Sequence, residues 1–227
     1  MTTLISKPNL KQNIRAIKEV LFTFPLYIIT HPFKGFDEMK YLKRGDLRYV
    51  VFFLITLGMV SILEQTHTGF IVTGFFQASP FVNVPFLLIW HTYLPILLFV
   101  IANWSITTIT DGKGSIKDIL LAYCYAHFLT IICTVIGIIL SNFMTINEAA
   151  FATFFFTFGQ AAGLFYLFIG LIVIHEYTFR KAVLMVVLTI LAMLIITFVL
   201  ALFFSLLNNV FTFFLVVYDE IVAHHLT

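Results

Sequence analysis

The sequence predicts an all-α membrane protein: five transmembrane helices in a bundle, an amphipathic interfacial helix before them and an interfacial helix after them. Three observations predict it. The chain has 227 residues, of which 61% are hydrophobic and only 11% charged. Soluble domains sit near 45–50% apolar and about 25% charged, and a chain of this size cannot hide so much apolar surface from water. Next, no Asp, Glu, Lys or Arg occurs in 65–110, 119–147, 149–175 or 182–218, and each run exceeds the roughly 20 residues that a helix needs to cross a bilayer. Finally, Lys and Arg alternate from loop to loop.

Residues 1–46 form a basic lead-in. Leu10, Ile14, Ile17, Leu21 and Phe24 make one apolar stripe at helical spacing, with Lys11, Arg15 and Lys18 off it. Such a helix lies in the interface with its cations toward anionic headgroups. Pro25 is expected to end or kink it. "HPFKGFDEMKYLKRGD" is expected to be a short cytoplasmic helix or turn beside the membrane. The first long apolar run starts near Tyr49, too late for a signal peptide, so the first span itself directs insertion.

The spans are expected at 49–63, 85–109, 116–140, 148–174 and 182–207, within a transmembrane domain over 47–222, and a polar tail covers 223–227. The first span has room to start one turn earlier, with Arg48 snorkelling. Pro95 is a kink candidate in the second. Phe70 to Val84 carries Gly74, Pro80 and Asn83 and reads as a re-entrant or interfacial loop. Ser115–Asp118 and Thr145–Glu148 fit capping boxes opening the third and fourth spans. Asn208-Asn209 is expected to break the last run, leaving an interfacial or bundle-packed C-terminal helix.

Lys and Arg number nine through Arg48, then 0, 2, 0, 2 and 0 in the successive loops and the tail. The positive-inside rule then places the N-terminus in the cytoplasm and the C-terminus outside. The turn Asp111-Gly112-Lys113-Gly114 reads as a tight connection between antiparallel spans whose lysine fixes the side, and Arg180 and Lys181 do the same one hairpin later. It lacks the spacing and the preceding strand of a phosphate loop.

No catalytic constellation emerges. His175-Glu176 begins an H-E-x-x-H pattern, but residue 179 is Phe, so no second zinc ligand follows. His224-His225 near Asp219 and Glu220 reads as a polar tail. Cys124 and Cys133, nine residues apart on one helix, cannot bridge and are core or lipid-facing residues. Asn103-Trp104-Ser105 matches a glycosylation sequon at a cytoplasmic span end, where none is added, and Trp104 suits the interfacial aromatic belt. Gly159, Gly163 and Gly170 in the fourth span suit close helix packing or a partner interface. His91, His127 and Gln160 are the intramembrane polar candidates. Each suits either a substrate or proton path or a single interhelical hydrogen bond. No cofactor, metal or nucleic-acid site is expected. The expected partners are the bilayer and another integral membrane protein or a second copy of the chain.

"HPFKGFDEMK", "NWSITTITDGKGSIKDILLAYCYA", "SNFMTINE", "HEYTFRKA" and "FFSLLNNVFTFFLVVYDEI", in this order and on a five-span frame, resemble bacterial Yip1-domain proteins over about residues 25–222. The resemblance implies a non-enzymatic protein of the bacterial plasma membrane, with an accessory role beside a membrane complex such as an ABC-type transporter. Eukaryotic relatives associate with Rab-type small GTPases. Their "DLYGP" signature is absent from this sequence, so the resemblance does not extend GTPase binding to this chain. The alternative is a small transporter or channel subunit with a polar path through spans two to four.

Overall fold

A computed structural model describes residues 18–69, 72 and 83–225. Among these the fold is wholly helical: α1 (Glu19–Thr30), α2 (Pro32–Tyr41), α3 (Leu47–His67), α4 (Val84–Ile109), α5 (Ile116–Ala126), α6 (Phe128–Phe143), α7 (Ala149–His175) and α8 (Phe179–His225). Five segments are long and apolar enough to span a membrane: α3, α4, α5 with α6, α7 with its preceding 3-10 turn, and α8. The five-span bundle expected from the uncharged runs is present. Most of the loop expected at 70–84, and Leu10, Ile14 and Ile17 of the apolar stripe, lie outside the described residues; Asn83 and Val84 of that loop instead open α4.

Local chemistry sets the helix starts. Asp46 accepts from the Arg48 N–H at 2.9 Å to open α3, and Asn83 accepts from the Phe86 N–H at 3.2 Å to open α4. Both expected capping boxes form: Ser115 with Asp118 and Thr145 with Glu148. Each satisfies N–H groups that a helix end leaves orphaned.

The two prolines do not end their helices. Residues Glu19–Thr23 and Leu87–Tyr93, just before Pro25 and Pro95, are π-helical. Phe24 N–H bonds to Glu19 O and Leu94 N–H to Ile89 O, five residues back. The wider turn accommodates a ring that clashes with the carbonyl four residues before it in an α-helix. The third span is interrupted, contrary to expectation. His127 leaves helical geometry (ψ 9°), and Tyr123 O accepts both its backbone N–H at 3.1 Å and its ring Nδ1–H at 2.9 Å.

The last span departs most from expectation. Asn208-Asn209 does not break it, and α8 continues for 47 residues. Asn is a mediocre helix former but costs under about 1 kcal/mol in a helix interior, and no Gly or Pro follows to force a stop. Thr212 returns a hydrogen bond to Asn208 O at 2.9 Å. Among the described residues the C-terminal segment therefore forms no separate interfacial helix but the end of α8.

The core lies around α5, α6 and α7. Tyr49 and Tyr125 stack at 4.1 Å and 4° in its centre. The lead-in joins this core: Phe24, Ile28, Phe36 and Met39 are buried in the same cluster. Gly170 passes under the Phe36 ring, where a Cβ would stand 3.1 Å from Cε1.

Candidate functional site

Two polar regions stand out in this apolar bundle. The first ties its loops together at the end that carries the Asp111–Gly114 turn. His175, buried at the end of α7, accepts from the Gly114 N–H through Nδ1 at 3.1 Å. That leaves Nε2–H to donate to Asn103 Oδ1 at 3.2 Å. Asn103 Nδ2 donates to Thr189 Oγ1 at 3.1 Å, and Thr189 donates to Met185 O at 2.8 Å. The donors and acceptors form one consistent relay from the loop through α7 and α4 to α8, with His175 neutral. His175 also stacks on Tyr177 at 5.1 Å and 16°. Both turn glycines are needed for close approach: a Cβ on Gly112 would stand 2.7 Å from Thr107 Cβ, and one on Gly114 would stand 2.6 Å from His175 Cε1.

Charges surround this relay. Lys113 pairs with Glu176, which holds φ 55° just past α7, and Tyr41 donates to the same carboxylate. Lys113 and Tyr41 hold the Glu176 carboxyl below the usual range. Glu176 in turn pushes the Tyr41 phenol up to about 12. Lys40 donates to Ile174 O at 2.6 Å. Lys181 donates to Thr110 O at 3.0 Å and lies over the Tyr177 ring. Asp111 (φ 57°) and Arg180 are exposed. The remaining residues named here bridge the loops and helix ends to one another.

The second region is a cavity of about 220 Å³ between α3, α4, α6 and α7. His91, His127 and Gln160, from three different spans, line it together. Ser61 and Glu64 of α3, Thr92 of α4, and Thr130 and Thr134 of α6 complete its polar wall. Glu64 sits one turn before the end of α3, whereas His127 and Gln160 lie near the middle of their spans. The cavity thus reaches from one end of the bundle toward its midplane. Below His127 the stacked Tyr49 and Tyr125 and the buried Ile119 and Leu121 fill the core, so it is blind on that side. His127 is fixed by its Tyr123 carbonyl bond and by stacking on the Tyr123 ring at 4.1 Å. Thr130 donates to Gly159 O at 2.8 Å. A larger cavity of about 470 Å³ beside Leu54, Leu97 and Ile101 is lined by apolar residues and Tyr93.

A protein-family comparison decides the classification. The Yip1 domain model matches residues 26–216. The chain belongs to the Yip1 domain family. Comparisons with curated proteins and with solved structures find no match. In this Yip1 protein the small residues of α7 are committed within the chain. A Cβ on Gly159 would stand 2.7 Å from Cys133 Cβ, and one on Gly163 would stand 2.4 Å from Thr130 Oγ1. With Gly170 under Phe36, these glycines pack on α6 and α2 within the chain.

Sequence reasoning missed Glu64 because the first span runs a turn longer than its apolar stretch, and Thr92 because a lone threonine inside the second span carries no signal of its own. It missed His175 as a hub because His175-Glu176 drew a comparison with zinc sites. The isolated polar residues Asn103 and Thr189 in otherwise apolar runs were the signal that remained to be used.

Proposed function

We propose that this Yip1 protein is a non-enzymatic accessory or assembly factor that associates with another integral membrane protein complex, such as an ABC-type transporter, in a bacterial plasma membrane. In this reading its N-terminus is cytoplasmic and its C-terminus outside, as the lysine and arginine alternation favours. The observation that carries the proposal is α8. Its first turns pack through Ala182, Met185 and Thr189, but no residue from Ile190 to Tyr218 is buried. Its apolar stretch Phe179–Tyr218 has 40 residues, about 60 Å at ~1.5 Å per residue, against a hydrocarbon core of about 30 Å. Lipid alone covers an upright helix over half that length, so a second membrane protein, or a second copy of this one, is the natural cover for the rest. Affinity purification from native membranes in mild detergent, followed by mass spectrometry, tests it. One membrane complex recovered in near-fixed ratio supports the reading; recovery of the chain alone as a monomer overturns it.

One observation favours a second reading, a small transporter or channel subunit: His91, His127 and Gln160 share one cavity. Proteoliposome flux that persists unchanged in His127→Ala and Gln160→Ala would remove those residues from any path.

A further inference from the structure

The cavity between α3, α4, α6 and α7 presents particular unpaired groups that indicate what it takes. Among the described lining residues Glu64 is the one Asp, Glu, Lys or Arg side chain. An ionised carboxylate only accepts hydrogen bonds. His127 spends its Nδ1–H on the Tyr123 carbonyl, which leaves Nε2 as a lone-pair acceptor with no partner among the described residues. Thr92 is 94% buried, being 6% exposed, and its Oγ1 has no hydrogen-bond partner. A buried hydroxyl left unpaired carries the full desolvation cost of that group. Beside these acceptors stand the rings of Phe53 and Tyr123, whose faces attract cations.

An anion would meet the Glu64 carboxylate with neither Lys nor Arg among the described lining residues to offset it. A multivalent metal ion fits poorly, because no three His, Cys, Asp or Glu side chains among the described residues are grouped to hold one. A protonated amine fits, since it brings several N–H donors, one positive charge and no acceptor. The cavity of about 220 Å³ is several times the ~30 Å³ that one water occupies in the liquid, so it has room for a small carbon skeleton.

We infer that this cavity is a binding site for a small organic ammonium ion, with its N–H groups shared by Glu64, His127 Nε2 and Thr92 Oγ1 and its hydrocarbon part against Phe53 and Tyr123. The inference concerns binding. It is independent of whether the protein partners another complex or moves the ligand.

Saturable binding of radiolabelled benzylamine to the full-length chain in lipid nanodiscs tests it, with benzyl alcohol and benzoate as neutral and anionic competitors of similar shape. The expected result is saturable binding displaced by unlabelled benzylamine, with both competitors weaker by about tenfold or more, a discrimination worth one charge-assisted contact. Glu64→Gln is expected to weaken binding by about tenfold and Thr92→Val by several-fold. Glu64→Asp should retain most of the binding, and Ile101→Ala, in the other cavity, all of it. No saturable binding, equal displacement by benzyl alcohol, or full binding by a well-folded Glu64→Gln chain would each overturn the assignment. Should Glu64→Gln fail to fold, the comparison of amine with alcohol on the unaltered chain still decides.

Discussion

The backbone N–H of Gly114 donates to Nδ1 of His175 at 3.1 Å across 61 residues of sequence, and the α-carbon of Gly114 lies so close to the ring that a Cβ would stand 2.6 Å from Cε1. The imidazole fills the space where a side chain at 114 would go. Gly114→Ala must push the loop off the ring and lengthen that hydrogen bond. The expected loss is about 1–3 kcal/mol, the usual range for overpacking a tight site, seen as a lower thermal unfolding midpoint in detergent. Lys117→Ala, exposed on α5, should change it little.

Asn103 is the next link. It is 1% exposed, and its amide serves both His175 and Thr189. Asn103→Leu leaves the Nε2–H of His175 unpaired in an apolar bundle. A cost of about 1–3 kcal/mol is expected, and pairing it with Thr189→Val should cost less than the sum of the two single changes, because they break one relay. Additive losses in that double-mutant cycle would mean that the hydrogen bonds act separately.

The spans were legible because lipid imposes length and apolarity on every crossing helix, and the loop lysines added direction. Packing was not legible. The π-helical turns before Pro25 and Pro95 follow from a proline held inside a bundle, where tertiary contacts keep the helix going. The break at His127 depends on a ring bond to Tyr123 O that no spacing reveals. His91, His127 and Gln160 were visible as polar residues in apolar runs, but their convergence on one cavity with Glu64 depends on helix rotation, which composition does not encode. The continuity of α8 was misjudged because two Asn residues were weighed as a stop, although a long apolar helix absorbs such a propensity cost.

Glu176 and Tyr41 predict how stability depends on pH at the loop end. The folded Glu176 carboxyl titrates below its unfolded value near 4.5, chiefly through its bond to Lys113 and then Tyr41. Its contribution is therefore present above about pH 4.5 and lost as pH falls through the lower folded value. Tyr41 behaves in the opposite sense: its folded value is raised from 10.0 to about 12, so its contribution is full below pH 10 and lost as pH rises through about 12. Unfolding midpoints measured from pH 3 to 7 should slope less in Glu176→Gln than in the unaltered chain. Equal slopes would show that this carboxylate does not report on folding.

Gly159 distinguishes internal packing from a partner surface. Its α-carbon faces Cys133 so closely that a Cβ on Gly159 would stand 2.7 Å from the Cys133 Cβ, a clash. Gly159→Leu should wedge α7 from α6, break the Thr130 bond to Gly159 O and abolish a monodisperse species in detergent. A stable protein that merely lost its partner would place this face on the outside after all.

The far half of α8 gives the opposite expectation. Nothing from Ile190 to Tyr218 is buried in the chain's own bundle, so removing residues 209–227 takes away no core contact made by residues 209–218. The remaining helix, Phe179 to Asn208, still has 30 residues, about 45 Å at ~1.5 Å per residue, which is long enough to cross. The truncated chain should insert and keep its unfolding free energy within about 0.5 kcal/mol of the full chain's, the range typical of changes away from buried features. If α8 holds a second membrane protein, the same truncation should lose that protein from purifications in mild detergent. A truncated chain that stays folded and still recovers the partner would move the interface to the bundle, leaving the exposed length of α8 to lipid.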